Sequence, residues 1–268
     1  MNQVRKAPAR RRRSLPRSLD GLLVGIGLLL IWEAAVRLAQ VPVYLLPPPS
    51  AVVMRLVDDF QSIMSHTMTT GWEVLLGFGL AIVISIPMAA ILAQFQLAER
   101  ILHPVLVVSQ TIPKVAIAPL LVVWFGFGLA PKVIIAFTMC FFPIVVDTLT
   151  GFKSAPAQLR WLALSTGATR WQTFIHFQVP AALPHIFSGI KVASTLAIVG
   201  AVVGEFVAAD RGLGYQLIVA NGALDVTLSF TVLVVLSVMG VLLYGLVDFV
   251  ERLALPWHTS QRLHGGGR

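Results

Sequence analysis

Polar side chains that could contact a small molecule are grouped in one apolar stretch of the sequence, residues 104–119, which begins and ends with proline. Gln110, Thr111 and Lys114 lie in this stretch, and Pro113 stands among them. Proline removes backbone hydrogen bonds, and broken helices tend to line the paths of solutes through membranes. The three side chains are therefore candidates for contact with a passing solute, and the ammonium of Lys114 would favour an anion. The alternative is that Lys114 extends to a membrane interface and contacts no solute.

Residues that commonly perform catalysis or bind metals do not occur here in the spacings those functions need. The six histidines form no close pair, and no G-x-S-x-G nucleophile motif is present. No G-x-x-x-x-G-K-[ST] phosphate loop occurs, and the nearest fragment, residues 151–154, has the wrong spacing. The chain is therefore expected to bind no metal or cofactor, and any ATP hydrolysis must take place on another chain. An enzyme embedded in a membrane stays a weaker alternative, because catalytic triads can be dispersed in sequence.

The composition indicates that lipid covers much of the chain. Hydrophobic residues make up 57% and charged residues 12% of its 268 residues, whereas a soluble domain has roughly a quarter charged residues. Backbone groups in lipid must be paired within their own segment, so the prediction is an all-α membrane protein. Six stretches are long enough to cross a bilayer: 20–39, 68–94, 102–126, 131–151, 183–208 and 228–252.

Positive charge is concentrated at the amino end, where seven of the twenty Lys and Arg residues fall in the first 17 positions. Six spans put both termini on one side, and the loops of that side hold most of the other Lys and Arg residues. Both termini are therefore predicted to be cytoplasmic, in a multi-pass membrane protein. The tail is expected to face lipid and not nucleic acid. The predicted segments are a basic tail (1–19), a first span with an outer amphipathic helix (20–67), a core with five spans (68–252) and a cytoplasmic tail (253–268).

Two segments on the predicted outer side have patterns of their own. Residues 45–63 carry three consecutive prolines at 47–49 and continue with an apolar face, which predicts an amphipathic helix along the outer interface with Ser50 as its cap. Residues 210–227 contain several glycines and are mildly apolar, which predicts a loop with a short re-entrant or interfacial helix.

The long cytoplasmic loop, residues 152–183, is too polar to cross a membrane but has a regular pattern. Its first part has three apolar residues on one helical face: Leu159, Leu162 and Ala163. Gly167 is predicted to break this helix, and a second short helix is predicted at 170–177. Pro180 and Pro184 are predicted to end that helix and to start the fifth span. The result would be a rigid helical turn whose apolar side fits a groove on a partner.

This loop resembles the cytoplasmic signature of the inner-membrane components of ABC importers, in which Glu-Ala-Ala, three residues, Gly, nine residues and Ile-x-Leu-Pro follow one another. The matching positions are Trp161, Leu162, Ala163, Gly167, Phe177, Val179 and Pro180, with Ala168 next to the glycine. Trp161 stands where the family has glutamate. The resemblance therefore implies contact with an ATPase through shape and apolar surface around Gly167 and not through a charge pair.

The resemblance continues through PPPS, 112–132, 141–154 and 204–215, in the style of the nitrate, sulfonate and taurine permeases. It implies the type I ABC importer permease architecture and pairing with a second permease chain, either another copy of this chain or a similar one. It further implies two cytoplasmic ATPase subunits that use ATP and Mg²⁺, and an extracytoplasmic solute-binding protein. The implied solute is a small organic or inorganic anion such as a sulfonate or nitrate.

The fifth span carries small residues at four-residue steps: Gly189, Ala193, Ala197 and Ala201. Such a ladder lets helices approach closely, and the alternative is a face that lines a path. Glu205 lies about 33 Å along this helix from Leu183, near the outer surface. It is a candidate gate or a contact for the binding protein, whereas Glu73 and Asp147 are expected to be structural partners.

A transporter driven by an ion gradient is the competing function. It would work without an ATPase and would be expected to show an inverted repeat. No convincing repeat is visible in the sequence.

Overall fold

The structure is a computed structural model that describes residues 17–156, 158 and 165–256. Within these residues it contains helices and turns but no strand, so the all-α prediction is confirmed. The helices are α1 (Arg17–Leu38), α2 (Pro49–Asp58), α3 (Phe60–Gln94), α4 (Gln96–Thr111), α5 (Lys114–Phe125), α6 (Leu129–Lys153), α7 (Arg170–Thr173), α8 (Val179–Ala208), α9 (Leu213–Gly222) and α10 (Val226–Ala254). A π-helical turn, Phe174–Gln178, joins α7 to α8.

Four helices of the described residues are long and apolar enough to cross a membrane: α3, α6, the joined α7 and α8, and α10. The part of α4 from Arg100 and the whole of α5 form a fifth candidate, bent by 95° at Pro113. The prediction of a third span interrupted by proline agrees with this bend. Helix α1 covers the stretch predicted as the first span.

The centre of the bundle is formed by α3, α6 and α8, which approach one another at glycine. Ala136 of α6 is fully buried between Gly77 of α3 and Gly200 of α8. A Cβ atom on Gly77 would lie 2.6 Å from Cβ of Ala136, and one on Gly200 would lie 2.7 Å from its Cα. Contacts this short leave no room for side chains, so the small residues set the distances between the three helices.

The outer end of the bundle, in the predicted orientation, holds α2, α9 and the start of α10. Asp225 accepts hydrogen bonds from Nη2 of Arg55 on α2, at 2.9 Å, and from the backbone N–H of Leu228 on α10, at 3.0 Å. The same carboxylate therefore caps α10 and holds α2 against it. The short helix predicted within 210–227 is confirmed as α9.

Helix α2 and the start of α3 differ from the prediction. Helix α3 begins at Phe60 and not at residue 68, and Asp59 separates it from α2. Ser50 is not a cap, because α2 begins at Pro49 and Pro48 is its N-cap. The Ser50 hydroxyl instead donates to Glu33 of α1 at 2.8 Å, so it is used to join α1 and α2.

The prediction that Pro180 and Pro184 end one helix and start another was wrong. Helix α7, the π turn and α8 form a single helix from Arg170 to Ala208. A proline ring normally collides with the carbonyl four residues earlier, which for Pro180 belongs to His176. His176 lies in the π turn, where the helix is wider and its bonding is shifted, so the ring is accommodated.

Candidate functional site

The end of the bundle that is cytoplasmic in the predicted orientation, called the inner end below, carries the described part of the predicted coupling loop. Gly167 has φ +77°, a conformation that favours glycine, and no other part of the described structure lies within 4 Å of the position of a Cβ atom there. Thr169 then starts α7 with a capping box: its hydroxyl accepts from the N–H of Gln172 at 3.2 Å, and the Gln172 side chain accepts from the N–H of Thr169 at 2.9 Å. These two residues fix the direction in which the helix leaves the turn. We call residues 167–178 the inner knuckle.

The inner knuckle rests on α6 through aromatic rings. The buried ring of Phe174 lies 5.2 Å from that of Phe152 on α6 and 5.8 Å from that of Trp171, measured between centroids. Trp171 is 68% exposed, so one face of it is open beside the packed ring. Close by, a Cβ atom on Gly151 would lie 2.8 Å from Cβ of His185, which holds the start of α8 against α6.

The other predicted coupling residues are only partly described. Phe177 and Val179 are half-buried, Ala168 is half-buried and Pro180 is exposed. Trp161, Leu162 and Ala163 lie outside the described residues, as do the basic tail to residue 16 and the tail from residue 257.

The three predicted path residues meet at the bend between α4 and α5. Gln110 and Thr111 are exposed at the end of α4, and Lys114 is the first residue of α5. The Lys114 ammonium donates to the carbonyl oxygen of Gln110 at 2.8 Å and lies 5.3 Å from the ring centroid of Phe142 on α6. The bend therefore brings an amide, a hydroxyl and an ammonium that is held by a carbonyl oxygen and an aromatic ring close together along the chain.

Glu205, the fourth predicted path residue, is placed elsewhere. Its side chain is fully buried and accepts hydrogen bonds from the Thr70 hydroxyl, at 2.6 Å, and from the N–H of Gly214. Next to it, the Glu73 carboxylate pairs with the Lys132 ammonium at 2.6 Å. Glu205 thus lies inside the helix packing at the outer end and does not line an open surface of the described chain.

The small-residue ladder of α8 is also buried and faces its neighbouring helices. Gly189, Ala193, Ala197 and Ala201 all lie inside the bundle, and a Cβ atom on Gly189 would lie 2.9 Å from Cβ of Asp147 on α6. This placement supports the packing role that was weighed against a path-lining one.

Comparison with known proteins adds a family to this geometry. Residues 81–255 match the profile of the binding-protein-dependent transport system inner membrane components. The chain belongs to this family. The permease is therefore a multi-pass inner-membrane component of an ABC transporter and not an enzyme, as the resemblance of its inner loop implied.

Relatives of the permease carry different solutes. It is 40% identical over 243 residues to the riboflavin transport system permease protein of Chloroflexus aurantiacus, covering 90% of this chain and 91% of the relative. It is 36% identical over 245 residues to the formylaminopyrimidine transport permease protein of Halalkalibacterium halodurans, covering 91% and 98%. It is 27% identical over 238 residues to the taurine transport system permease protein of Escherichia coli, covering 86% of each chain.

The permease also shares its fold with a solved transporter. An inward-facing structure of the MetNI methionine ABC transporter matches with a TM-score of 0.63 and 20% identity, over 73% of this chain and 97% of that chain. The match supports the importer permease architecture that the resemblance implied.

Sequence reasoning missed two sets of residues in the permease. His66 and Thr70 accept hydrogen bonds from the start of α9. The sequence pattern that could have indicated them is their spacing of one helical turn, shortly before Glu73 on the same helix. The exposed stripe of α8 lies opposite the ladder and includes two hydroxyls; its residues are Ser188, Val192, Thr195 and Val199. The steps of three and four residues along this stripe were a visible signal.

Proposed function

We propose that this permease forms, with a second copy of itself, the path by which an ABC importer moves a small solute delivered by an extracytoplasmic binding protein. Two separate ATPase subunits bind ATP and Mg²⁺ on the cytoplasmic side, and the chain itself binds no cofactor. The observation that carries this proposal is the inner knuckle, which continues without a break into a membrane-spanning helix.

The inner knuckle has the features of a docking element. Its first turn is fixed by the capping box at Thr169, and its base is fixed by Phe174 on α6. Trp171 is left open, and exposed tryptophans are frequent anchors in protein interfaces. Because Trp161 replaces the acid of the family signature, the proposed contact with the ATPase is apolar and depends on the shape of the turn at Gly167.

The orientation and the division of the chain are part of the proposal. Both termini are cytoplasmic, residues 1–19 and 253–268 are cytoplasmic tails, and residues 152–183 face the ATPase. Residues 20–67 hold the first span and the outer helix, and residues 68–252 form the core with five spans. The charge bias of the sequence supports this orientation.

Substitution of Gly167 by leucine tests the docking role. Leucine at φ +77° is strained by roughly 1–2 kcal/mol, and it adds bulk to the surface proposed to meet the ATPase. Co-purification of the ATPase and ATP-dependent uptake in proteoliposomes are both expected to fall. Gly245→Leu is the matched control, because Gly245 also faces open space but has no positive φ. If ATPase docking and uptake both survive in Gly167→Leu, the coupling assignment is wrong.

For the solute, we propose a nitrogen heterocycle related to riboflavin or formylaminopyrimidine. The relatives named for these compounds are 40% and 36% identical to the permease, compared with 27% for the taurine permease. The second candidate is the anion expected from Lys114, whose ammonium is held at the open bend beside Gln110.

The heterocycle and the anion can be distinguished by measuring the uptake of both classes of solute by one preparation. Proteoliposomes with the complete complex are offered labelled riboflavin, formylaminopyrimidine, taurine and nitrate in turn. If the solute is an anion, Lys114→Met abolishes its uptake and Lys114→Arg retains it. If the solute is a neutral heterocycle, the two variants are expected to differ little. Uptake by the permease alone, driven by an ion gradient, would contradict the importer function itself.

A further inference from the structure

The start of α9 is held by three side chains from two other helices. A helix normally begins with backbone N–H groups that have no partner within the helix. Here the N–H groups of residues 212–214 donate in turn to Nδ1 of His66 at 2.9 Å, to the hydroxyl of Thr70 at 2.8 Å and to the carboxylate of Glu205. Helix α9 is thus fixed to α3 through two of its first bonds and to α8 through the third.

Glu205 is the central member of this group. Its buried carboxyl group accepts from the Thr70 hydroxyl as well as from the N–H of Gly214, so it bonds both α3 and the start of α9. Gly212 and Gly214 allow the approach, because a Cβ atom on Gly214 would lie 2.8 Å from Oε2 of Glu205. Gly212 also has φ +115°, so both its conformation and its space require glycine.

The same level of the bundle contains the buried ion pair of Glu73 and Lys132. Their side chains are 1% and 6% exposed, and they join α3 to α6. Gly204 of α8 packs directly on Lys132, where a Cβ atom would lie 2.8 Å from Cα of the lysine. The outer parts of α3, α6 and α8 and the start of α9 are therefore joined as one unit.

Helix α8 connects this unit to the opposite side of the bundle. It has 30 residues, which corresponds to about 45 Å at 1.5 Å per residue. Its inner end continues through the π turn into the inner knuckle, and Glu205 lies in its last turn. A displacement of the inner knuckle would reach the outer end through one continuous helix.

We infer that Glu205 is the positioning residue through which α8 carries movement of the inner knuckle to α9, and that α9 opens and closes the outer end of the path. This inference rests on the proposed function, because it takes the inner knuckle as the contact with the ATPase. The exposed residues of α9, such as Ile218, then change their surroundings when the ATPase binds ATP.

The test measures how accessible α9 is in two states of the complete complex. Cys140 is replaced by alanine, and Ile218→Cys supplies a single thiol for a membrane-impermeant maleimide. The labelling rate is measured without nucleotide and after trapping with ATP and vanadate. The rates in the two states are expected to differ severalfold with Glu205, to become equal in Glu205→Ala, and to differ again in Glu205→Gln, whose amide oxygen can accept from Gly214 while its NH2 group donates to the Thr70 hydroxyl.

Two further variants keep the test decisive. Thr70→Val removes the hydroxyl that joins Glu205 to α9, so it is expected to reduce the difference between states even if Glu205→Ala does not accumulate. Ser85→Ala removes another buried hydroxyl of α3, which donates to the carbonyl of Phe141 at 3.2 Å, and it is expected to leave the difference intact.

Three outcomes would overturn the inference: equal rates in the two states with Glu205 present, a full difference in both Glu205→Ala and Thr70→Val, or the same loss in Ser85→Ala. Each can occur while the ATPase co-purifies and uptake proceeds, in which case the proposed function stands. If the unmodified complex neither binds the ATPase nor transports, the proposed function fails instead.

Discussion

Removal of Lys132 is expected to destabilise the permease far more than removal of an equally short ion pair at the surface. Lys132 and Glu73 are 2.6 Å apart and almost completely buried. Arg37 and Glu33 are 2.5 Å apart, but their side chains are 65% and 23% exposed. The two pairs therefore differ mainly in burial.

The expected losses of stability depend on the surroundings of the acid that each substitution leaves without its cation. Lys132→Met leaves the buried carboxylate of Glu73 without its cation, and breaking such a pair costs about 3–5 kcal/mol. Arg37→Met leaves Glu33 in contact with solvent and with Ser50, so the loss of stability is expected to be far smaller than that of Lys132→Met.

A double substitution separates the charge from the packing. Glu73→Leu combined with Lys132→Met replaces both charges by apolar groups of similar volume, which is often neutral or stabilising. The double variant is therefore expected to be more stable than Lys132→Met alone. The coupling free energy between the two positions measures their interaction.

The measurement is reversible unfolding in mixed micelles of increasing SDS content, followed by tryptophan fluorescence for the unmodified permease, the double variant and the three single variants Lys132→Met, Glu73→Leu and Arg37→Met. The reasoning is refuted if Lys132→Met costs as little as Arg37→Met. It is also refuted if the double variant is as unstable as the sum of the two single ones, because the loss would then come from packing and not from an uncompensated charge.

Two further predictions concern close packing and helix capping. Gly200→Ala is expected to lower the free energy of unfolding by about 1–3 kcal/mol, because the new methyl group meets the backbone of Ala136, which cannot move aside like the end of a side chain. The control is Gly79→Ala, because Gly79 faces open space, and equal unfolding curves for the two variants would contradict the argument. Thr169→Ala removes the capping bond to Gln172 and is expected to cost about 0.5–2 kcal/mol in the inner knuckle. Hydrogen exchange should therefore become faster across residues 170–178, and unchanged protection there would show that the cap is unnecessary.

The fold could be predicted from sequence where hydropathy and charge decide the structure. A long apolar stretch in lipid must form a helix, so α3, α6, α8 and α10 could be predicted from their hydropathy. The proline at position 113 marked the bend between α4 and α5. The same local reasoning failed at Pro180, because the π turn before it depends on packing of Phe174 against α6, and no residue pattern encodes that contact.

The candidate site was predictable only where its residues are close in sequence. Gln110, Thr111 and Lys114 lie within one stretch, and the structure keeps them together. The surroundings of Glu205 come from α3 and α9, and Thr70 is 135 residues away from it along the chain. Its depth in the bundle could be estimated by counting residues along α8, but which side of the helix is covered depends on these distant contacts.

The π turn also determines how the inner knuckle is rotated about the helix axis relative to α8. At 100° per residue, Phe174 and Ala182 would lie about 80° apart around a regular α-helix, although both are buried on the side of α6. A π turn takes up about one additional residue, which reduces the difference to roughly 20°. The π turn therefore compensates for one additional residue between the inner knuckle and α8. Deleting a single residue there would leave a regular α-helix in which the inner knuckle keeps its rotation relative to α8, whereas deleting a residue from the α-helical part just after the π turn would rotate the two by about 100°.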